Sequence, residues 1–375
     1  MSSGPRTLLT RRGNLEQISW QGGLHDGSPL PVSGSLQGGS VLVRVEAVAF
    51  TANTLTYGLL GEQLRYWDFF PTARPGWGCL PAWGTGRVLD SAAAELAPGS
   101  RVQGLLPIAT HCLLTPVRVT SSSLRDGSQH RRGLPSAYQH YDRLAAATPG
   151  TAPPTDDEAL AALLRPLFVL GFLLASQLRE STRATESATV VLTSASSKTA
   201  QAVAQQLQGS DLRVVGLTAL AHVAACAATG LFTTVLSYPG AETLGQHAAD
   251  GPLVMVDMAG DASLRDRLRA AVPERAVRTV LVGAAHRAPG KTLVATPGEE
   301  VFSAVEQLRR LTHHLGPDEF RGRQERAWRA YLDSARQPVR LLYAHDPTSI
   351  ERAYSEVLHG RCHPGHGHVL RMEPS

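Results

Sequence analysis

The segment Val190-Val191-Leu192-Thr193-Ser194-Ala195-Ser196-Ser197-Lys198-Thr199-Ala200 carries the clearest structural signal in this chain. A β-branched apolar run passes into small polar residues, and an alanine-rich segment, 199–207, follows directly. This order is typical of a strand, a tight loop of phosphate size and a helix N-terminus. The glycines usual in such a loop are missing, and Lys198 stands among the small residues. The segment therefore predicts a nucleotide-binding fold with an altered phosphate loop.

The composition is that of a folded protein long enough for two domains. The chain has 375 residues, of which 43% are hydrophobic and 18% charged, and this balance argues against disorder. The formal net charge is only +4 and the arginines are scattered, so no nucleic-acid partner is expected. Four cysteines stand far apart without a CxxC pair, which disfavours structural zinc and disulfides and fits a reducing cytoplasm. Arg165-Pro166 interrupts the most apolar segment, 160–178, so no membrane span is expected.

The sequence pattern changes near residue 155. Before it, short strand-like runs such as 41–48 and 83–89 alternate with glycine- and proline-rich turns, which favours a small barrel-like β domain. After it, apolar strands alternate with helices, as in a parallel, doubly wound sheet. The predicted strands of this sheet are 189–193, 213–217, 233–237, 253–258 and 279–283. We expect three segments, a first part of a β-rich substrate domain at 1–155, a nucleotide-binding domain at 156–294, and a return to the substrate domain at 295–375.

Four short motifs occur in the order known from one large superfamily. They are Glu46-Ala47-Val48-Ala49, 98–104 (PGSRVQG), 254–260 (VMVDMAG) and 280–284 (VLVGA). With the order of elements, they resemble the medium-chain dehydrogenase/reductase superfamily over most of 35–370. Within it, the segments 66–71, 164–168 and 194–200 resemble a bacterial and fungal family of unknown function. The resemblance implies a Rossmann-like doubly wound parallel sheet and a β-rich, GroES-like barrel, and it suggests a homodimer paired through the final strand, 279–283.

The predicted cofactor site lies at the carboxyl ends of the parallel strands. Ser197, Lys198 and Ala200 stand where glycines would let the backbone approach a pyrophosphate. Lys198 could bind a phosphate, occupy the pyrophosphate site with its own amine, or point to solvent. The second strand ends in 215–218 (VGLT) without an acid for a ribose hydroxyl, so NADPH is preferred to NADH. The predicted cofactor-binding residues are Ser194, Ser196, Ser197, Lys198, Thr199, Thr218, Tyr238 and Gly283.

The resemblance further implies a zinc-independent reductase. The segment 47–52 (AVAFTA) lacks a cysteine where the first zinc ligand is expected, so no metal is predicted. The zinc-free branch includes quinone and enoyl reductases, whose chemistry needs an oxyanion stabiliser and a proton donor. Asn53 is expected to hold a carbonyl oxygen and Tyr57 to donate a proton, unless both only satisfy a turn. The cluster Tyr66-Trp67-Asp68-Phe69-Phe70 predicts a raised pKa for Asp68, unless its rings pack a loop.

These observations predict a cytoplasmic, NADPH-dependent, zinc-independent oxidoreductase that reduces a small enone, quinone or enoyl-type substrate. The predicted catalytic residues are Asn53, Tyr57, Tyr66, Asp68 and Lys198. The alternative is a non-redox, cofactor-free lyase, isomerase or hydrolase that uses Lys198 and 66–70 for acid–base chemistry. A third possibility is a small-molecule binding or scaffolding protein with an inactive cleft. The expected partners are a small-molecule substrate and a second copy of the chain, with no nucleic acid and no membrane.

Overall fold

The computed structural model describes residues 4–144, 154–182, 187–282, 295–335 and 339–372. The chain forms two compact units, Met1–Leu163 with Val339–Ser375, and Leu164–Pro338. The return to the substrate domain was expected at 295, whereas the chain up to Pro338 belongs to the second unit. The reason is apolar packing, because Phe302 and Phe320 are buried in the core of that unit.

The strands and helices are numbered in chain order. The strands are β1 (Arg6–Arg11), β2 (Asn14–Gly22), β3 (Val41–Phe50), β4 (Trp77–Cys79), β5 (Pro81–Ser91), β6 (Arg101–Pro107), β7 (His111–Leu114), β8 (Pro116–Val117), β9 (Ser123–Asp126), β10 (His140–Leu144), β11 (Thr189–Leu192), β12 (Arg213–Thr218), β13 (Thr234–Ser237), β14 (Leu253–Asp257), β15 (Val277–Leu281), β16 (Glu299–Val301), β17 (Arg340–Ala344) and β18 (His366–Arg371). The helices are α1 (Ala52–Leu59), α2 (Asp156–Thr182), α3 (Lys198–Leu207), α4 (Val223–Ala228), α5 (Leu244–His247), α6 (Ala262–Ala270), α7 (Ala304–Leu315), α8 (Pro317–Ala335) and α9 (Pro347–Leu358).

The first unit is built on β-sheets. A 3-stranded sheet has the order β2-β1-β4, and a 9-stranded sheet has the order β17-β18-β3-β5-β6-β10-β9-β8, with β7 also paired to β3. The pairs are antiparallel except β17 with β18. In sequence, 41–48 has the alternating pattern of a half-buried strand, but β3 is buried along nearly its whole length. Its side chains belong to the main apolar core of this unit, which also takes in α9 residues such as Ile350 and Tyr354.

The second unit contains one parallel sheet of the predicted type. Its strand order is β13-β12-β11-β14-β15-β16, and every neighbouring pair is parallel. Counted within the unit, this is the order 3-2-1-4-5-6 of the doubly wound dinucleotide-binding fold. Strand order reverses direction between β11 and β14, so the carboxyl ends of these strands mark the crevice where ligands bind in such sheets. The predicted fold class is confirmed.

The prediction that 279–283 forms the final strand at the edge of this sheet was wrong. Strand β15 pairs with β14 on one side and with β16 on the other, so it cannot offer a free edge to a second copy. The three-residue strand β16 was missed because two of its residues are Glu299 and Glu300, and glutamate is depleted in strands. The homodimer stays a prediction, and Gly283 lies outside the described residues.

Helix α2 is long and apolar enough to cross a membrane by length and composition alone. However, 61% of its most apolar stretch is buried within the protein, which is the behaviour of a core helix. Pro166 lies inside it without ending it. The division between the two units falls within this helix, after Leu163.

A buried ionic network joins three elements of the first unit. Arg101, at the start of β6, is 4% exposed and donates to Glu46 of β3 at 2.8 Å and to Glu158 of α2 at 2.6 Å. Arg87 of β5 also reaches Glu46, at 3.0 Å. Burial alone would raise the pKa of Glu158, but the hydrogen bonds from Arg101 hold it below its ordinary value. The guanidinium of Arg101 therefore attaches the first turn of α2 to the sheet, because it pairs with a carboxylate on each.

Replacing Arg101 by alanine should strongly destabilise the protein. The change leaves two carboxylates without their shared cation, and removing one partner of a buried ion pair costs about 3–5 kcal/mol. Chemical denaturation should show this loss in the free energy of unfolding. The control is Arg309→Ala on α7, whose ion pair with Glu306 is exposed and should contribute less than about 1 kcal/mol. Equal effects of the two substitutions would contradict the anchoring role of Arg101.

Candidate functional site

The loop between β11 and α3 makes its tight turn without glycine. Ser194 has a φ of 53°, in the left-handed region that normally favours glycine. The N–H of Ser197 donates to the carbonyl of Ser194 at 2.8 Å, and the N–H of Ala195 donates to the carbonyl of Leu217 in β12, also at 2.8 Å. These bonds hold the loop against the neighbouring strand. The tight turn from strand to helix is thus made by a strained serine.

The start of α3 has the properties of an anion site. Ser197 is the N-cap, and its Oγ accepts the N–H of Ala200 at 3.1 Å. Lys198 and Thr199 are the first two helical residues and are half-buried. Their N–H groups, like those of any first helical turn, have no carbonyl one turn earlier in the helix. Together with the helix dipole and the ammonium group of Lys198, this favours negative charge at the loop.

Hydroxyl groups at the ends of three neighbouring strands contact each other or the loop. The hydroxyl of Thr218, which ends β12, donates to Ser196 Oγ at 3.0 Å. The hydroxyls of Ser194 and Tyr238 lie 3.4 Å apart, and the N–H of Tyr238 donates to the carbonyl of Thr218 at 2.9 Å. Burial raises the pKa of Tyr238, so its phenol is neutral near pH 7. Four of the predicted cofactor-binding residues are therefore brought together.

Asp257 and Thr193 stand at the point where strand order reverses, and neither was predicted as a site residue. One carboxylate oxygen of Asp257 accepts the N–H groups of Ala259 at 3.0 Å and Gly260 at 2.8 Å, and the other pairs with Arg265 at 2.6 Å. Thr193 donates to Asp257 at 3.2 Å. These bonds join the carboxyl ends of β11 and β14. The motif 254–260 could have indicated Asp257, because an acid there precedes a turn that contains small residues.

The first unit contains a cluster of tyrosine hydroxyls, which we call the tyrosine cluster. It consists of Tyr57 on α1 and Tyr66 and Tyr138 on two short 3-10 helices, with Trp83 of β5 beside them. The ring centroids of Tyr57 and Tyr66 are 4.5 Å apart, and the hydroxyls of Tyr66 and Tyr138 are 3.0 Å apart. Burial raises the pKa of each tyrosine far above its ordinary value, so all three are neutral acids.

The expected role of Asn53 needs correction. Asn53 was expected to hold a substrate carbonyl, but its amide nitrogen donates to the hydroxyl of Tyr57 at 2.7 Å. Both residues lie on α1, four positions apart, so their side chains share one face of the helix. The indole N–H of Trp83 donates to the same oxygen at 2.9 Å. Asn53 therefore positions Tyr57, and Trp83, which was not among the predicted site residues, is the second positioning residue.

The predicted apolar environment of Asp68 was wrong. Its side chain is 43% exposed and pairs with Arg65 at 2.8 Å. The neighbouring rings of Trp67, Phe69 and Phe70 are 1% exposed or less and point into the core instead. The rings therefore pack the loop, as the alternative interpretation held. Trp67 is so enclosed that a side chain at Gly78 would come within 2.3 Å of its ring.

The predicted catalytic residues do not form one cluster within either unit. Asn53, Tyr57 and Tyr66 lie together in the first unit, Asp68 lies beside them on the surface, and Lys198 belongs to the second unit. In the described residues, no three His, Cys, Asp or Glu side chains are grouped so that they could hold a metal ion.

Comparison with protein families assigns the chain to a known group. The model of the DUF2855 family, described as a protein of unknown function, matches residues 48–363. The chain belongs to this family. The predicted resemblance to a family of unknown function is therefore confirmed. A comparison with curated protein sequences gave no match.

The similar solved structures include two complexes with NADPH and an enoyl reductase. CurA from Vibrio vulnificus in complex with NADPH is 15% identical over 98% of each chain, with a TM-score of 0.61. A mycobacterial protein complexed with NADPH is 17% identical over 98% of this chain and 100% of its own, with a TM-score of 0.55. The CurK enoyl reductase is 14% identical over 98% of this chain and 99% of its own, with a TM-score of 0.53. This likeness confirms the predicted fold, a Rossmann-like parallel sheet together with a β-rich part.

Replacing Ser194 by glycine should stabilise the protein. Glycine adopts the left-handed conformation without the steric cost that serine bears, so the free energy of unfolding should rise by about 0.5–1 kcal/mol. The matched control is Ser194→Ala, which keeps the strain and loses the hydroxyl that meets Tyr238. Urea denaturation of both variants distinguishes the two effects. If the alanine variant gains as much stability as the glycine variant, the strain assigned to Ser194 is not present.

Proposed function

We propose that this protein is a soluble, cytoplasmic, NADPH-dependent oxidoreductase that reduces an activated carbon–carbon double bond. Its substrate would be a small enone, quinone or enoyl-type compound, and no metal would take part. Two observations support the proposal. The chain shares its fold with structures complexed with NADPH and with the CurK enoyl reductase, and Tyr57 is arranged as a proton donor.

The residues of the β11–α3 loop have the chemistry that a dinucleotide requires. The donor set for the pyrophosphate is the ammonium of Lys198, the N–H groups of the first turn of α3, and the hydroxyls of Ser194 and Ser196. Strand β12 ends in Thr218, which is 1% exposed and bonded to Ser196, so no carboxylate there selects the ribose hydroxyl of NADH. NADPH, when bound, would supply a hydride.

The hydrogen bonding of Tyr57 is the observation that carries the proposal. Its oxygen accepts one N–H from Asn53 at 2.7 Å and another from Trp83 at 2.9 Å. A phenol that accepts two hydrogen bonds retains its own proton for donation. Within the described part of the chain, no acceptor for that proton is found. Once the proton has left, both N–H donors would stabilise the phenolate, as donors aimed at a developing negative charge do. Tyr57 is thus equipped to protonate a reduced substrate.

Lys198→Glu should abolish NADPH binding, because it replaces the cation at the predicted phosphate site by an anion. Lys198→Arg keeps the charge and should retain binding within about tenfold. Nicotinamide fluorescence and thermal unfolding measure the effect, since a ligand at 100 times its Kd adds about 2.7 kcal/mol of stability. Absence of saturable NADPH binding to the unmodified protein would refute the proposed function. The search would then move to the cofactor-free lyase, isomerase or hydrolase.

Tyr57→Phe should lower kcat by about 10²–10⁴-fold while NADPH binding stays unchanged, because only the proton donor is lost. Trp83→Phe should cause a smaller loss, since it removes one of two donors to the phenol and keeps an aromatic ring. The measurement is steady-state reduction of an enone series, followed through NADPH consumption, with NADPH affinity determined separately. Full activity of the Tyr57 variant on a substrate that the unmodified protein reduces would exclude Tyr57 as the proton donor.

A further inference from the structure

We propose that the first unit carries a second ligand site, which binds the phosphate group of a phosphorylated small molecule. The site is a concavity of ≈310 Å³ lined by Arg118, Arg125 and Arg132, together with Ser128 and Gln139. We call it the arginine pocket. It is formed by residues of β8 and β9 and of the loops that follow them, and it shares no residue with the tyrosine cluster or with the loop at Lys198.

The charge of the arginine pocket is not balanced by the protein. Its lining includes three guanidinium groups and no carboxylate. In the described ranges, none of these three arginines forms an ion pair with an acid, whereas buried arginines elsewhere do, such as Arg101 with Glu46. Asp126 accepts a hydrogen bond from Ser128 of the lining at 2.7 Å, but it is fully buried and paired with Arg131 at 3.0 Å. Three unpaired cations around one concavity repel each other, and a bound anion would remove that repulsion.

One of the three arginines is held in place by a buried amide. Gln139 is 3% exposed, and its nitrogen donates to the carbonyls of Arg131 at 3.0 Å and Leu134 at 2.7 Å. The amide oxygen therefore faces Arg125 and accepts from its Nε at 3.1 Å and its Nη2 at 2.9 Å. This arrangement leaves the Nη1 group of Arg125 for a ligand. A guanidinium oriented before binding loses less entropy when it captures an anion.

The second arginine is held beside the first by the backbone. Val117 of β8 pairs with Arg125 of β9, and Arg118 follows immediately. Arg118 has a φ of 51°, the left-handed conformation that a non-glycine residue adopts at a steric cost. Gly127 lets the two strands approach, since a side chain there would come within 2.7 Å of Val117. The fold thus brings two like charges together at a strained position.

The chemistry of the arginine pocket favours a phosphate over a carboxylate. One guanidinium satisfies a carboxylate by a bidentate contact, whereas a phosphate offers more acceptor oxygens and up to two negative charges for several arginines. A volume of ≈310 Å³ also corresponds to a small-molecule pocket. The ligand class is therefore a phosphate monoester or diphosphate of small size, and inorganic phosphate shares the same chemistry.

The test is isothermal titration of the full chain with inorganic phosphate and with pyrophosphate, at constant ionic strength set by sodium chloride. Pyrophosphate could also bind near Lys198, so the titration is repeated in the Lys198→Glu background. Saturable binding should persist in that background and weaken at least tenfold in Arg118→Gln and Arg132→Gln. Both of these side chains are exposed, so these variants should fold. Arg309→Gln on the exposed face of α7 is the control and should bind as the parent does.

The outcomes separate the possible sources of binding. Tighter binding of pyrophosphate than of phosphate would indicate a diphosphate ligand, and equal binding would indicate a single phosphate group. Both results support the arginine pocket. It is excluded if neither anion binds saturably to the Lys198→Glu protein. It is also excluded if Arg118→Gln and Arg132→Gln bind as tightly as Arg309→Gln, since the binding then comes from general surface charge.

Discussion

The hydrogen bonds that hold β11 between β12 and β14 determine where the loop between β11 and α3 lies. Both ladders are parallel and in register, so the three strands end at the same edge of the sheet. The chain must then turn from β11 into α3 within a few residues, and the turn is made by Ser194 in a left-handed conformation. Asp257 and Thr193 satisfy the polar groups left at the strand ends. The hydroxyls and the helix start meet at this edge as a consequence.

Arginine serves two different purposes in the first unit. Arg101 is buried, and its cost of desolvation is offset by two carboxylates that also attach α2 to the sheet. The arginines of the pocket beside β8 and β9 have no such partners in the described part of the chain. Burial without a partner would be prohibitive for a charge, and these groups avoid it by facing a concavity open to solvent. The same residue type thus stabilises the fold in one place and leaves charge available for a ligand in another.

The segment 66–70 shows why a local sequence pattern need not predict the environment of one of its side chains. Tyr57 lies outside this segment, its hydroxyl oxygen accepts two N–H groups, and its role as a proton donor stays a prediction. Asp68 was expected to be enclosed by rings, yet the rings turn into the core and the carboxylate turns outward to Arg65. Adjacent positions of a 3-10 helix point in different directions, so neighbours in sequence need not share an environment.

The sequence by itself determined the alternation of strands and helices that makes the second unit a doubly wound sheet, and it carried the family resemblance. The alternation follows from the periodicity of apolar residues and from turn residues, both of which act over short distances along the chain, whereas the resemblance rests on the motifs that carry it. The sequence also identified Tyr57 as a candidate site residue and predicted the tight loop between β11 and α3. Only the tertiary structure decided the pairing of β15 with β16, the partners of Asn53 and Asp68, the contact between Trp83 and Tyr57, and the convergence of Arg118, Arg125 and Arg132. Each of these depends on contacts between residues distant in sequence or on the side of an element that a residue faces, and neither follows from local pattern.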